Sequence, residues 1–452
     1  MAGSALAETK SLHVPAAYGE PPDGWTWSRL DDVSEGVFDC PHSTPKLTDT
    51  GPFVVRTQDI ITGVFRADQA GRVSEETYAE RITRVTPSLG DLLYSREGTY
   101  FGIAAEVPAK TRVCLGQRMV LIRPDKRRLD FSFLCHWLNS PIMAAHIHGY
   151  RDGTVAERLN LPTIRALPIL IPPLPEQKAI AAVLGALDDK IELNRRLNTT
   201  LEAMARALFQ SWFVDFDPVR AKLDGRPPAA LDPATAALFP ASFQDSEAGH
   251  LPKGWTIQPV GEVVDCVGGG TPSTAEPKYW EGGTHHWTTP KDFSSLQAPV
   301  LLDTDRKLTE AGIAKISSGL LPAGTLLLSS RAPVGYLAIA AMPVAINQGF
   351  IAMKCNDRAS NFFMLNWCQT NMAEIESRAT GTTFAEISKQ NFRPIRVVLP
   401  QKELMAAFTA KVAPLYAQIT ASLHQSSTLA TLRDTLLPKL LSGELSIQTH
   451  EN

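Results

Sequence analysis

The chain has 452 residues, a formal net charge of −3 and 44% apolar residues, enough for two or three domains that each bury a core. That balance excludes a polybasic nucleic-acid coat but not DNA binding, because a near-neutral chain can gather its Arg and Lys on one face. No apolar run reaches the roughly 18 residues of a membrane span and the first twenty residues lack signal-peptide order, so a cytoplasmic protein is expected. The six cysteines, Cys40, Cys114, Cys135, Cys266, Cys355 and Cys368, are scattered without a CxxC pair. They are expected as buried free thiols rather than a metal site.

In chain order, an extension over residues 1–20 precedes "PPDGWTWSRLDDV" at 21–33. Short runs rich in Val, Ile and Thr follow, among them "PFVVRTQDI", "DLLYS" and "MVLIRP", and their composition and Gly/Pro punctuation predict strands. A helix is predicted over Phe131–His148, then "GTVAERLNLPTIRALPILIP", an apolar strand ending in prolines.

From residue 174 the period changes from two to three-and-four. Ile180, Leu184, Leu187, Ile191, Asn194, Asn198, Leu201, Ala205, Leu208 and Trp212 form a heptad seam of about five repeats, the pattern of coiled-coil packing. A rise of 1.5 Å per residue makes this arm roughly 50 Å long. Residues 214–250, rich in Pro, Ala and Asp, read as a linker with one short helix.

The same series then repeats. "LPKGWTIQPVGEV" from Leu251 matches the opening segment, with Trp255 against Trp25, and "GTLLLSSRAPVGYLAIA" from Gly324 matches "GDLLYSREGTYFGIA" from Gly90. "VAINQGFIAMK" matches "VCLGQRMVLIR", "FMLNWC" matches "FLCHWL", and "GTTFAEISKQNFRPIRVVLP" mirrors the end of the first copy. "TLLLSS", "LAIAA" and "FIAMK" are predicted strands and Phe362–Arg378 a predicted helix. Adding 228 to the first seam gives Phe408, Val412, Leu415, Ile419, Ser422, Ser426, Leu429, Arg433, Leu436 and Leu440. Both seams turn polar at the same two layers, so the arms are expected to pack on each other, since a buried amide needs a hydrogen-bonding partner. Pro414 is expected to kink the second helix or mark its start, and the Arg433 stem to snorkel. Antiparallel arms would relate the copies by a pseudo-two-fold axis, and a rod holding two reading heads would specify a distance.

No catalytic constellation emerges. There is no G-x-x-x-x-G-K-[ST] and no G-x-S-x-G. "GGGTPS" from Gly268 lacks the strand and helix of a dinucleotide loop and reads as a turn, and no [DNS]-P-P-[YFW] segment occurs. "DFDP" from Asp215 has the wrong order. Glu176-Gln177-Lys178, which together with Asp125 imitates a nuclease, opens a helix, where a carboxylate favours the N-terminus.

The candidate DNA contacts are polar groups that recur in both copies. Arg56, Thr57 and Gln58 answer to Thr288, Thr289 and Lys291, and Arg and Gln suit guanine and adenine edges. Arg96 and Arg331 lie in matching turns, followed by Gln117–Arg118 and Asn347–Gln348. The loops "YRDGTV" with Arg151 and Thr154, and "RATGTT" with Arg378, Thr382 and Thr383, carry Gly-Thr donors suited to phosphates.

The segment "LPILIPPLPEQKAIAAVLGALDDKIELNRRLNTTLEAMARALFQSWFVDFDPV", with "PDGW", "YSREGTYFGIAAEV", "CLGQRMVLIRP", "PKGW" and "NQGF", resembles specificity subunits of type I restriction–modification systems. The resemblance spans nearly the whole chain after residue 20. It implies an α+β architecture in which two similar mixed α/β target-recognition domains, 21–173 and 251–400, are joined by two long antiparallel coiled-coil helices. These helical spacers cover 174–213 and 401–445, and residues 446–452 are a tail. It further implies a non-catalytic subunit in which each domain reads one half of a bipartite double-stranded DNA target. The arms would dock two modification methyltransferase subunits, and restriction/translocase subunits would join them. No cofactor is expected in this chain: S-adenosylmethionine belongs to the methyltransferase, ATP and Mg to the nuclease. "LPQKELMAAF" departs from the "PPLPEQ" form in the second arm. The alternatives are a protein-interaction adaptor on a coiled-coil scaffold and a methyltransferase–specificity fusion, for which two recognition units leave no room.

Overall fold

The computed structural model describes Val14 and residues 20–98, 101–148, 158–247, 249–381 and 385–447. The chain divides into two compact units, one of residues 1–190 with 428–452 and one of residues 191–427. The division cuts through both arms, so each unit holds a recognition domain together with one stretch of each arm.

In the first unit, Thr26–Arg29 pairs antiparallel with Pro168–Ile171, closing the recognition domain at its two ends. Inside lies an antiparallel sheet of Ser34–Asp39, Met119–Pro124, Leu92–Ser95 and Ala104–Glu106, in that order. The two central strands, Met119–Pro124 and Leu92–Ser95, are buried on both faces, and alternate side chains point to opposite sides. Leu92, Tyr94, Val120 and Ile122 enter one core with Phe133 and Trp137, whereas Leu93, Met119 and Leu121 enter another. A smaller sheet joins Gly71–Arg72, Thr48–Val55 and Val113–Leu115, the last two parallel.

The second unit repeats this plan. Thr256–Pro259 pairs with Arg396–Leu399. Asp265–Gly268, Phe350–Lys354, Leu326–Ser330 and Val334–Ala340 follow the same order, with Val300–Leu301 added at one edge. Leu326, Leu328, Ile351 and Met353 face one core, and Leu327, Phe350 and Ala352 the other. Arg306–Leu308, His285–Thr288 and Val344–Ile346 form the small sheet, again with one parallel pair.

The arm helices are Leu174–Phe209, continued by a wider turn over Gln210–Val214, and Lys402–Leu441. All twenty seam positions are buried or half-buried. Within the first unit Ile180 and Leu184 share a core with Leu437, Leu440 and Trp25, and the Arg433 guanidinium reaches Asp188 at 2.7 Å. Within the second unit, Phe209, Trp212 and Phe213 crowd Phe408, with ring centroids 5.0–6.2 Å apart. Asn194 meets Ser422, Gln425 and Ser426. Rising numbers on one helix meet falling numbers on the other, so the helices run antiparallel in each unit.

Four local expectations need correction. The 214–250 segment, expected as a linker with one short helix, holds two helices, Asp217–Leu223 and Pro233–Ala237, and a hairpin of Phe243–Ser246 with Gly249–Pro252, and it places Val219 and Phe239 in the core. The second arm starts well before Pro414 and runs past it; Pro414 is exposed, where the missing hydrogen bond faces water. Each predicted recognition-domain helix is two helices, broken at Asn139 and Asn371. Each of these Asn amides donates back to the carbonyl four residues earlier, Cys135 and Trp367. Arg433 does not merely snorkel; it is an ion-paired member of the seam.

Candidate nucleic-acid interface

Beside each small sheet the chain makes the same tight turn. After Val55 the backbone N–H of Arg56 donates to the Asp59 carboxylate at 2.9 Å, and Asp59 N–H donates back to the Arg56 carbonyl. After Thr288 the N–H of Thr289 donates to Asp292 at 2.7 Å, and Asp292 N–H returns to the Thr289 carbonyl. Both turns abut the same neighbour, since Gly116 N–H donates to Val55 and Asn347 N–H to Thr288. Arg56 therefore matches Thr289, Gln58 matches Lys291, and Asp59 matches Asp292.

The acids hold these turns. Asp59 is fully buried and takes both Arg56 Nε and Nη2 at 2.9 Å, so the Arg56 charge is spent on the turn. This pairing raises the Arg56 pKa. Asp292 takes the hydroxyls of Thr288 and Thr289 at 3.1 and 3.2 Å. Thr288 is fully buried, which turns its hydroxyl to the fold and away from any ligand. Thr57 is half-buried, whereas Gln58 and Lys291 are exposed at the tips.

Gln117, Arg118 and Gln348 follow the residues, Gly116 and Asn347, that bond to these turns. Gln117 donates to the His42 carbonyl at 2.7 Å, and Gln348 accepts from Thr271 at 2.6 Å. Arg96 sits 3.2 Å from Asp39, whose other oxygen lies 3.4 Å from His42. Arg118, with φ +67°, reaches Glu97 at 3.3 Å and stays more than half exposed. The Asn347 side-chain oxygen accepts from Gly349 N–H. Arg378 pairs with Glu374 within its own helix, which ties it to that helix rather than to the turns. Arg151, Thr154, Thr382 and Thr383 lie outside the described residues.

Backbone pairing aligns the two turns that hold Arg96 and Arg331 residue by residue. Leu159 N–H donates to the Arg96 carbonyl and Ile387 N–H to Ser330, while Glu97 bridges Arg158 and Arg331 bridges Glu386. Arg331 thus answers to Glu97, not Arg96, and the charges of the bridged pair are exchanged between the copies. Sequence reasoning missed Asp39, His42 and Lys389, whose ammonium lies close over Gly268. An open cleft of about 900 Å³ beside the second turn is lined by Trp280, Lys291, Asp292, Asp303, Asp305 and Lys307, and Arg306 stacks 3.5 Å over the Trp280 ring. Among the described residues no cluster of His, Cys, Asp and Glu suits a metal ion. The cysteines are free, with only Cys355 partly exposed, and burial pushes the Cys266 thiol up to about 11.

The family model of the type I restriction modification DNA specificity domain matches residues 22–203 and again 252–413. The chain belongs to this family. The first match takes in a recognition domain and most of its arm, the second a recognition domain and the start of its arm, which is the duplication seen in the strand order. A type I restriction enzyme HindI specificity subunit from Haemophilus influenzae is 27% identical over 404 residues, covering 79% of this chain and 86% of its own. A putative MjaX specificity subunit from Methanocaldococcus jannaschii is 23% identical over 95% of this chain and 96% of its own. The crystal structure of a type I restriction–modification S subunit from M. genitalium shares the fold, with a TM-score of 0.55 at 18% identity, covering 94% of this chain and 97% of that one. No helix among the described residues is long and apolar enough to cross a membrane.

Proposed function

We propose that this specificity subunit reads one bipartite DNA target, each recognition domain taking one half, while the paired arms fix the unread spacing. The observation that carries this reading is the recurrence of one acid-held turn in both copies with different exposed tips, Gln58 in one and Lys291 in the other. A rigid scaffold displaying polar loop tips is the usual form of a recognition site, and tips that differ in donor chemistry suit two different half-sites.

On this reading the chain does no chemistry. Methyl transfer and cleavage reside in two modification subunits docked on the arms and in restriction/translocase subunits, which hold the S-adenosylmethionine, ATP and Mg. The test is co-expression with a cognate modification subunit, followed by methylome sequencing. Methylation at one bipartite site, and none without this chain, is the expected result; equally site-specific methylation in its absence would overturn the proposal. Binding of the assembled complex should also weaken steeply with salt, as phosphate contacts release counterions.

A further inference from the structure

We infer that Gln58 and Lys291 are the paired specificity-determining residues of the two domains, Gln58 reading an adenine in one half-site and Lys291 a guanine in the other. The inference rests on the bipartite reading above and narrows it from a polar surface to two positions. Three observations select them. They occupy the same place, one residue before the acid, in two turns whose backbone hydrogen bonds are the same. Their neighbours are committed to the turn: Arg56 to Asp59 by two bonds, and Thr288 and Thr289 to Asp292. The two tips are exposed, and the one ion pair of Lys291, to Asp305 at 3.9 Å with both groups mostly in water, is weak enough to give up.

The contrast with the second recurring position supports the division of labour. Gln117 and Gln348 are the same residue in both copies, and each already bonds within its own domain, Gln117 to the His42 carbonyl and Gln348 to the Thr271 hydroxyl. Gln58 and Lys291 differ at matched geometry. A glutamine amide offers both a donor NH2 and an acceptor oxygen, the complement of adenine N7 and N6, whereas a lysine offers donors alone, the complement of guanine O6 and N7. The acid-held turn fixes the backbone from which each tip projects, so on binding only the freedom of the side chain itself is left to lose.

The experiment uses the complete methyltransferase complex, with wild-type chain, Gln58→Ala, Lys291→Ala and Lys291→Gln, scored by methylation of a randomised target library. Wild-type methylation at a bipartite site establishes the parent reading independently of the variants. Gln58→Ala should relax one A·T position of one half-site, by roughly 5- to 150-fold in discrimination, and leave the other half intact. Lys291→Ala should relax one G·C position in the opposite half, and Lys291→Gln should shift that position toward A·T. Loss of binding that is uniform across sequences, with a shallower salt dependence, would mark phosphate contacts and overturn the inference. So would unchanged half-sites in all three variants.

Discussion

The Asn194 amide donates across the arms to the Gln425 side-chain oxygen at 2.9 Å, to the Ser426 hydroxyl at 3.2 Å and to the Ser422 carbonyl at 3.3 Å. One turn along the same helix Asn198 is equally buried, but its side-chain oxygen has no hydrogen-bond partner. The two asparagines should therefore respond in opposite ways to the same change. Asn194→Leu removes satisfied bonds and should cost about 1–2 kcal/mol. Asn198→Leu removes an unsatisfied buried oxygen at similar volume and should leave stability level or raise it. Denaturant unfolding of the two variants checks the pair; equal losses would show that the bonding of Asn194 contributes nothing.

Gln177 fastens the first arm to its recognition domain. Its oxygen accepts from Asp130 N–H at 2.8 Å and its nitrogen donates to Pro172 and Arg128 carbonyls at 2.8 and 2.9 Å. At the matching place in the second arm stands buried Met405, with its sulfur 4.0 Å from the Ser360 hydroxyl. Gln177→Met, although it copies the other arm, strands the buried Pro172 carbonyl and two part-buried groups, Asp130 N–H and the Arg128 carbonyl, and should cost about 2–4 kcal/mol. Urea unfolding reads the cost, and a loss below 1 kcal/mol would contradict it.

Glu202, on the first arm, lines a cleft of about 760 Å³ with Arg206, Gln210, Tyr336 and Gln369. Burial pushes its carboxyl from 4.5 up to about 7, against the opposing pull of Arg206. Below pH 4.5 the group is protonated folded or unfolded. Between there and about 7 the folded state holds the extra proton, so stability falls as pH rises through that window. Glu202→Gln should flatten this slope and be the more stable form at pH 8. Thermal unfolding across pH 4–8 decides it, and an unchanged slope would refute the burial argument.

What could be read from the residues followed from periodicity. The arms announced themselves because every third or fourth side chain from Ile180 to Trp212 is apolar except at the Asn194 and Asn198 layers, and the strands because Leu92–Ser95 and Leu326–Ser330 are short apolar runs between turn residues. The 214–250 segment misled because Pro, Ala and Asp dominate it, while its placement rests on few large side chains such as Val219 and Phe239. At the candidate interface the turns were found but their internal roles were not. Composition cannot tell that Arg56 folds back on Asp59 three residues on, or that Thr288 points inward. The offset that pairs Arg331 with Glu97 depends on a backbone ladder and lies one residue away from the match suggested by the letters "SR".

On the proposed function, the paired arms set a distance on DNA. The boundary between the two units crosses both arms, at Lys190–Ile191 and Ser427–Thr428, so four residues inserted at each crossing lengthen both helices while keeping every pairing within either unit. Four residues add about 6 Å of helix, roughly two base-pair steps. Methylome sequencing with the assembled complex should then return the same two half-sites separated by a longer unread spacer. Altered half-sites around an unchanged spacer would contradict the account.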